Sequence, residues 1–375
     1  MPDDLPRRDF LRCGSLAALP VALGAAALGA ADSSLPAGSP RPEDFGAVGD
    51  GKADDTAALQ RAADASRGGL QLTLGRVYLI DKLLVPGREG WTLDGNGATL
   101  RKRDDGDNYA LVVGEDQAKN NAWAGLPIPI RNLRLDGAKV GAACCGMAMQ
   151  NWNSRYFNLA VENMSGDGIR LSGTTRNGTV SHNPMANNWI QMVTVSACGG
   201  HGIHIADKGG GHLTDWYLGG GWIYDNGGWG IWADECAGAQ IGPQLHLYSN
   251  KGGGLHGDLW SIGTVFQGIY FEEGQTCHIP GGWRPGIIEH CWFVGNARLE
   301  IGFDQGGGIN KRAFVHGCQF QGDSHIMHLG APDRIIEVMG CLFDTADPLR
   351  KTRGGTYHAT RCWADKQERL IDGPV

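Results

Sequence analysis

From Phe157 to about Leu349, apolar residues recur on alternate positions in short runs separated by Gly-containing turns. Three copies of the unit read Val161-Glu162-Asn163-Met164-Ser165-Gly166-Asp167-Gly168-Ile169-Arg170-Leu171, Val195-Ser196-Ala197-Cys198-Gly199-Gly200-His201-Gly202-Ile203-His204-Ile205 and Ile223-Tyr224-Asp225-Asn226-Gly227-Gly228-Trp229-Gly230-Ile231-Trp232-Ala233. In each, an apolar residue is followed eight positions later by another. An alternation of two predicts strands with one buried face, where a helix would show a period near 3.6. The predicted unit is strand, tight turn, strand.

The first inward residue after each turn serves as a marker: Met147, Ile169, Ile203, Ile231, Leu255, Cys277, Leu299 and Ile326. Successive markers are 22, 34, 28, 24, 22, 22 and 27 residues apart. A basic period of about 22 with insertions predicts a solenoid whose repeats stack on one another. Later turns are shorter: Ile223 to Ile231 is eight residues, Phe271 to Cys277 six. Stacking places equivalent residues of neighbouring coils about 4.8 Å apart. One inward column then reads Val161, Val195, Ile223, Leu247, Phe271, Phe293, Phe320 and Phe343, a continuous apolar core. Asn163, Asn226 and Asn250 fall near the turn, Asn163 one position out of line, and stacked Asn side chains can bond from coil to coil.

The same alternation yields outward columns. On the strand after the turn these are Arg170, His204, Trp232, His256, His278 and Glu300, with Cys145, Asp167, His201 and Trp229 just before it. Asp234 and Asp258 each lie three residues past their marker. On the strand before the turn the outward residues are Thr194, Trp222, His246, Tyr270, Trp292 and Gln319.

Composition narrows the class. The 375 residues include 60 Gly without a collagen period, and 12 Trp with only 19% charged residues, which excludes a disordered chain. A net charge of −7 and no long basic run disfavour nucleic acid or an anionic membrane as partner. Residues 1–31 combine the twin arginine Arg7-Arg8, then Phe10-Leu11-Arg12, with an Ala-rich apolar stretch, the pattern of a twin-arginine export signal cleaved near Ala30 or Ala31. The expected organisation is signal 1–31, linker 32–42 and one domain over 43–375, located in the periplasm or secreted, with no membrane contact after cleavage. Of ten Cys, nine remain beyond the signal, an odd number that predicts no complete disulfide framework. Cys291, Cys318 and Cys341 each precede a Phe by two residues, so they are expected inside as a stacked column. No metal or cofactor is expected.

Before the repeats, Asp54 or Asp55 is placed to cap a helix running to about Ser66, with Leu59, Ala62 and Ala63 on one face to shield the solenoid end. Strands are expected at Leu70–Leu74, Val77–Ile80, Trp91–Leu93 and Leu111–Val113, and residues 101–129 as an excursion. The stretch Asp44-Phe45-Gly46-Ala47-Val48-Gly49-Asp50-Gly51-Lys52-Ala53-Asp54-Asp55-Thr56, leading into Ala57–Gln60, resembles the opening of pectate-lyase-superfamily proteins. That resemblance implies an all-β, single-stranded right-handed parallel β-helix with a short N-terminal capping helix. It is shared by polygalacturonase-related and rhamnogalacturonan enzymes, alginate epimerases and phage tailspikes, so it implies a scaffold rather than one reaction. It also implies a groove along the sheet that carries the strand after the turn. Gly166-Asp167-Gly168-Ile169 resembles the Asn-Thr-Asp-Gly element of polygalacturonases, and Gly200-His201-Gly202 their Gly-His-Gly. No Asp-Asp pair lies between them and no Arg-Ile-Lys follows; the Asp-Pro-His of alginate epimerases is also absent.

Glycoside cleavage needs two carboxyls, one of them protonated, about 5–9.5 Å apart. Asp234 and Asp258, on neighbouring coils, are the pair the stacking offers, with Glu235 and Glu272 as further acids. Asp167, His201 and His204 would orient or protonate. Arg170, Trp232, His256 and Glu272, with the row Trp222, His246, Tyr270 and Trp292, would bind sugar, since aromatic rings stack on the C–H faces of pyranoses. The expectation is an exported glycoside hydrolase acting on a polysaccharide or oligosaccharide. A lyase or uronate epimerase using Arg170, His201 and His204 is the first alternative, and a non-catalytic glycan-binding β-helix, which could be a homo-oligomer, the second.

Overall fold

The computed structural model describes residues 40–375 apart from 89, 104–108, 115–126, 142, 152, 173–185, 207–212, 237, 260–263, 281–285 and 304–310. The chain is a right-handed parallel β-helix. A typical coil consists of the strand Arg155–Glu162, a turn over residues 163–168 and the strand Ile169–Ser172. Strands equivalent to Arg155–Glu162 stack into one sheet of 21 strands and those equivalent to Ile169–Ser172 into another of 11. Neighbours pair in parallel and in register, so the period of two in each coil becomes continuous columns along the helix axis.

The expected columns form. The register runs Met147, Ile169, Ile203, Ile231, Leu255, Cys277, Leu299 and Ile326 inside the 11-stranded sheet. The opposing inner column ends in four buried phenyl rings, Phe271, Phe293, Phe320 and Phe343, whose centroids are 4.7, 4.7 and 4.8 Å apart. Cys291, Cys318 and Cys341 are buried and free, and Cys362 extends their column; all four Sγ atoms point at backbone carbonyls of their own or the preceding coil.

From Asn132 onward each coil bends on the 21-stranded sheet at one residue with left-handed backbone: Asn132, Asn158, Met192, Gly220, Gln244, Gly268, His290, Gly317, Gly340 and Arg361 all have φ between 52° and 69°. A residue there reverses the side-chain alternation locally and turns the corner of the coil. A second left-handed column opens the turn, at Asn163, Ala197, Asp225 and Ser249. Asn163 belongs to this column, which is why it stands one place out of line. The amide ladder proper begins one residue on, where Asn226 Nδ2 donates to Asn250 Oδ1 at 2.9 Å and Asn226 Oδ1 accepts Cys198 N–H at 3.0 Å.

At the N-terminal end a helix over Thr56–Ala65 buries Ala58, Leu59, Ala62 and Ala63 across the first coil. Its cap divides the work between the two acids. Asp54 accepts the Thr56 N–H, while Asp55 is buried and instead accepts the N–H groups of Val48 and Gly49, closing the Gly-rich loop. Three strands ahead of the repeats went unpredicted, Asp50–Asp54, Leu83–Val85 and Thr99–Lys102. The last of these reaches into the stretch expected as an excursion, and Tyr109–Val113 matches the strand expected there, while residues 104–108 and 115–126 of that stretch lie outside the described residues. Thr99–Lys102 alternates Leu100 and Lys102 inward, and the buried Lys102 ammonium is neutralised by Asp81 at 2.7 Å. At the other end the antiparallel strands Thr356–Ala364 and Arg369–Pro374 close the sheet. No helix among the described residues is long and apolar enough to cross a membrane.

Candidate active site

The 11-stranded sheet presents the outward column in register: Arg170 beside His204, His204 beside Trp232, then His256, His278 and Glu300. Two residues before each marker, the turns add Asp167, His201 and Trp229. The glycines of these turns make room for them. A Cβ on Gly200 would lie 2.3 Å from Asp167 Oδ1, one on Gly228 2.6 Å from His201 Nδ1, and one on Gly253 2.5 Å from the Trp229 ring. Each glycine thus cradles the side chain of the preceding coil.

Three coils converge on His204. Its Nδ1 lies 2.8 Å from Asp167 Oδ2 and its Nε2 3.4 Å from Asp234 Oδ2. Asp167 Oδ1 accepts the backbone N–H of His201 at 2.7 Å, and Asp234 Oδ1 accepts Trp232 Nε1–H at 2.8 Å. His204, Asp167 and Asp234 are all largely buried, 12–15% exposed at the side chain. Burial alone would raise the Asp167 pKa, but the bonds from His204 and the His201 backbone, and the fields of both rings, hold it below the ordinary carboxylate range. An ionised Asp167 fixes the Nδ1–H tautomer of His204 and leaves Nε2 as the basic nitrogen.

His201 has the opposite arrangement. Its Nδ1 accepts the Trp229 backbone N–H at 3.0 Å, so in the neutral ring Nε2 carries the proton. Burial lowers its pKa against the pull of Asp167, keeping the ring neutral at pH 7. The ring stacks on Trp232 at 5.1 Å, and Trp232 stacks in turn on His256 at 3.8 Å. Burial, then the neighbouring His278, pushes the His256 pKa down to about 4. His278 donates to Glu300 at 2.7 Å, which lowers the Glu300 pKa. Arg170, next to His204 in the column, is half-buried and forms no ion pair or hydrogen bond among the described residues. Cys145, in the column of Asp167, is no nucleophile: burial and the Asp167 charge push its thiol up to about 12.

Asp167, His201 and His204 offer donor atoms within 4.8 Å of one another, a spacing a metal ion could bridge. His201 does not suit one: its Nδ1 accepts a backbone N–H and its Nε2 bears the hydrogen, so the neutral ring has no lone pair left for an ion.

The structure therefore joins Asp167, His201, His204 and Asp234, with Arg170, Trp232 and His256 alongside. The backbone of Asp258 lies in the strand Gly253–Leu259 of the adjoining coil, but its side chain, like that of Glu235, is outside the described residues. The expected pairing of the aromatic row with this site needs correcting. Trp222, His246, Tyr270 and Trp292 are stacked in register as foreseen, but on the 21-stranded sheet, with Glu272 held to His246 at 2.6 Å. The Gly turn between the strands carries them onto a different sheet from the His204 cluster. Trp229 and His278 enter the site without having been singled out. Both stood in the outward columns, and what marks Trp229 is its backbone N–H on His201, which no sequence pattern displays.

No family model and no curated protein matches the chain in sequence. Among solved structures it is similar to PfbA, a surface adhesin of Streptococcus pneumoniae (TM-score 0.55, 12% identity, 86% of this chain and 90% of that one). It is similar also to the Azotobacter vinelandii mannuronan C-5 epimerase AlgE6 A-module (0.50, 15%, 86% and 93%) and to an N-terminal fragment of the bacteriophage phi29 gene product 12 (0.52, 14%, 86% and 66%). At these identities the likeness is one of fold.

Proposed function

We propose that this protein is an exported enzyme that acts on an acidic polysaccharide by abstracting the proton α to a uronate carboxylate, as a lyase or an epimerase does. The observation that carries the reading is His204, oriented by an ionised Asp167 and flanked in its column by Arg170, which has no ion-pair partner among the described residues. Such chemistry needs a cation to draw charge into the substrate carboxylate and a base beside the carbon. Arg170 supplies the first and His204 Nε2 the second. As the C5–H bond breaks, its proton passes to Nε2, where Asp234 Oδ2 stabilises the imidazolium. The electron pair moves toward the carboxylate. In elimination it then forms the C4–C5 double bond as the C4–O bond breaks, and the departing oxygen takes a proton from the His204 imidazolium or from water. In epimerisation the carbon is reprotonated from its other face. Kinship of fold with a mannuronan epimerase module is compatible with this reading.

Hydrolysis is less well served. It needs a carboxyl kept protonated near neutral pH, and the environments of Asp167 and Glu300 both favour the ionised form. The test is product analysis of residues 32–375 on alginate, polygalacturonate, glucuronan and hyaluronan. The account expects unsaturated, ultraviolet-absorbing ends or uptake of solvent deuterium at C5. New reducing ends with neither signal would replace it by the hydrolase that pairs Asp234 with Asp258.

A further inference from the structure

A second concave surface lies on the 21-stranded sheet, away from the His204 cluster. It is a shallow, open depression of about 510 Å³, and Trp222 forms one wall. Within the aromatic row Tyr270 and Trp292 meet edge to face at 5.4 Å, while His246 and Tyr270 are 4.4 Å apart and nearly parallel. Rings so stacked offer only edges to a ligand. Trp222 ends the row. One face meets His246 at 6.1 Å, while the coil on its other side carries Thr194 and the one beyond it Ala160, both too small to cover an indole. The side chain is 46% exposed, and its free face looks into the cavity.

The floor is polar. Asn158 donates to Asn132 Oδ1 at 2.9 Å, and Asn132 donates to Asp94 at 3.2 Å. The amide chain thus runs one way and leaves Asn158 Oδ1 as an open acceptor at the exposed end. Both Asn residues sit in the left-handed corner column, which fixes their direction. Arg134, the cation at the rim, is committed to Glu162 at 2.8 Å. Met192 adds an apolar edge.

We infer that this cavity is a non-catalytic binding site for a neutral pyranose unit of a glycan chain. The free indole face takes the C–H face of the sugar, and the Asn amides take its hydroxyls. Its cation is already paired with Glu162, which leaves the site near neutral and suits an uncharged sugar, so its ligand differs from that proposed for the other sheet. The site stands whether or not the proposed reaction does.

Affinity electrophoresis in native gels containing arabinoxylan, galactomannan, mixed-linkage β-glucan or dextran tests it, with sedimentation velocity in parallel. The expected result is retardation by at least one polymer. Trp222→Ala and Thr194→Phe, the second covering the indole without removing it, should each weaken binding about tenfold or more. Tyr224→Ala, which removes an aromatic stacked with Tyr248 on the same sheet but outside the cavity, should leave it unchanged. No retardation by any of the four polymers overturns the inference, as does equal loss in Tyr224→Ala. A concentration-dependent self-association abolished by Trp222→Ala also overturns it, making this face a contact between copies of the chain.

Discussion

Replacing Asp167 by Asn probes the anchor of the candidate site. The carboxylate accepts two hydrogen bonds, from the His201 backbone at 2.7 Å and from His204 Nδ1 at 2.8 Å. Asn keeps one oxygen for the first but sets an N–H against the N–H of His204. The ring must then move its proton to Nε2, which removes the base. A hydrogen bond to a charged group contributes about 1.5–3 kcal/mol, and one of the two survives, so the loss of stability at pH 7 should be about 2 kcal/mol. Turnover should fall by about 100-fold or more, the contribution of general base catalysis. The sign of the pH dependence follows from the depressed Asp167 pKa. A carboxyl lowered in the folded state contributes stability that is complete above its unfolded pKa near 3.9 and is lost as pH falls through the folded value. The stability gap between wild type and variant should persist from pH 7 to about 5 and shrink below about 4. Urea unfolding followed by Trp fluorescence across that range measures it. A gap under about 0.5 kcal/mol at pH 7, or one that does not shrink in acid, refutes the ionised anchor.

Further expectations concern the ring cluster and the core. His256 should titrate in NMR near pH 4. Because its folded pKa lies below the ordinary value near 6.5, it should cost stability as pH falls from about 6.5 to about 4; an ordinary midpoint would show the Trp232 stack to be open to water. Asn226→Ala strips the acceptor from the buried Cys198 N–H and a donor from Asn250, and should destabilise by about 2–4 kcal/mol in urea unfolding, whereas under 1 would mean that the ladder is not a structural tie. Phe320→Ala removes the ring between Phe293 and Phe343 and should cost about 3–5 kcal/mol in the same assay; a near-neutral result would contradict the close-packed column.

The scaffold was legible because a solenoid writes its long-range contacts as a local repeat. Once Ile169, Ile203 and Ile231 are aligned, every outward neighbour from Arg170 to Glu300 follows, and the register bears that out. What the repeat does not carry was harder to read. Lys102 points inward because Asp81 neutralises it, which hides its strand from a search for apolar alternation. Met192 takes left-handed backbone because its neighbours in the corner column do, not because Met favours it. In the site, the residues were visible as columns, but their roles rest on atoms. Which nitrogen of His201 is occupied depends on a backbone N–H one coil away, and the clamp on His204 spans three coils.

The most direct test of the proposed reaction is the activity of Arg170→Ala on an acidic polymer that the wild type turns over, set against the same polymer with its carboxylates methyl-esterified. The account predicts a kcat/KM loss of about 100-fold on the free acid and little loss on the ester, whose charge Arg170 no longer has to balance. An equal loss on both, or none on either, would contradict it.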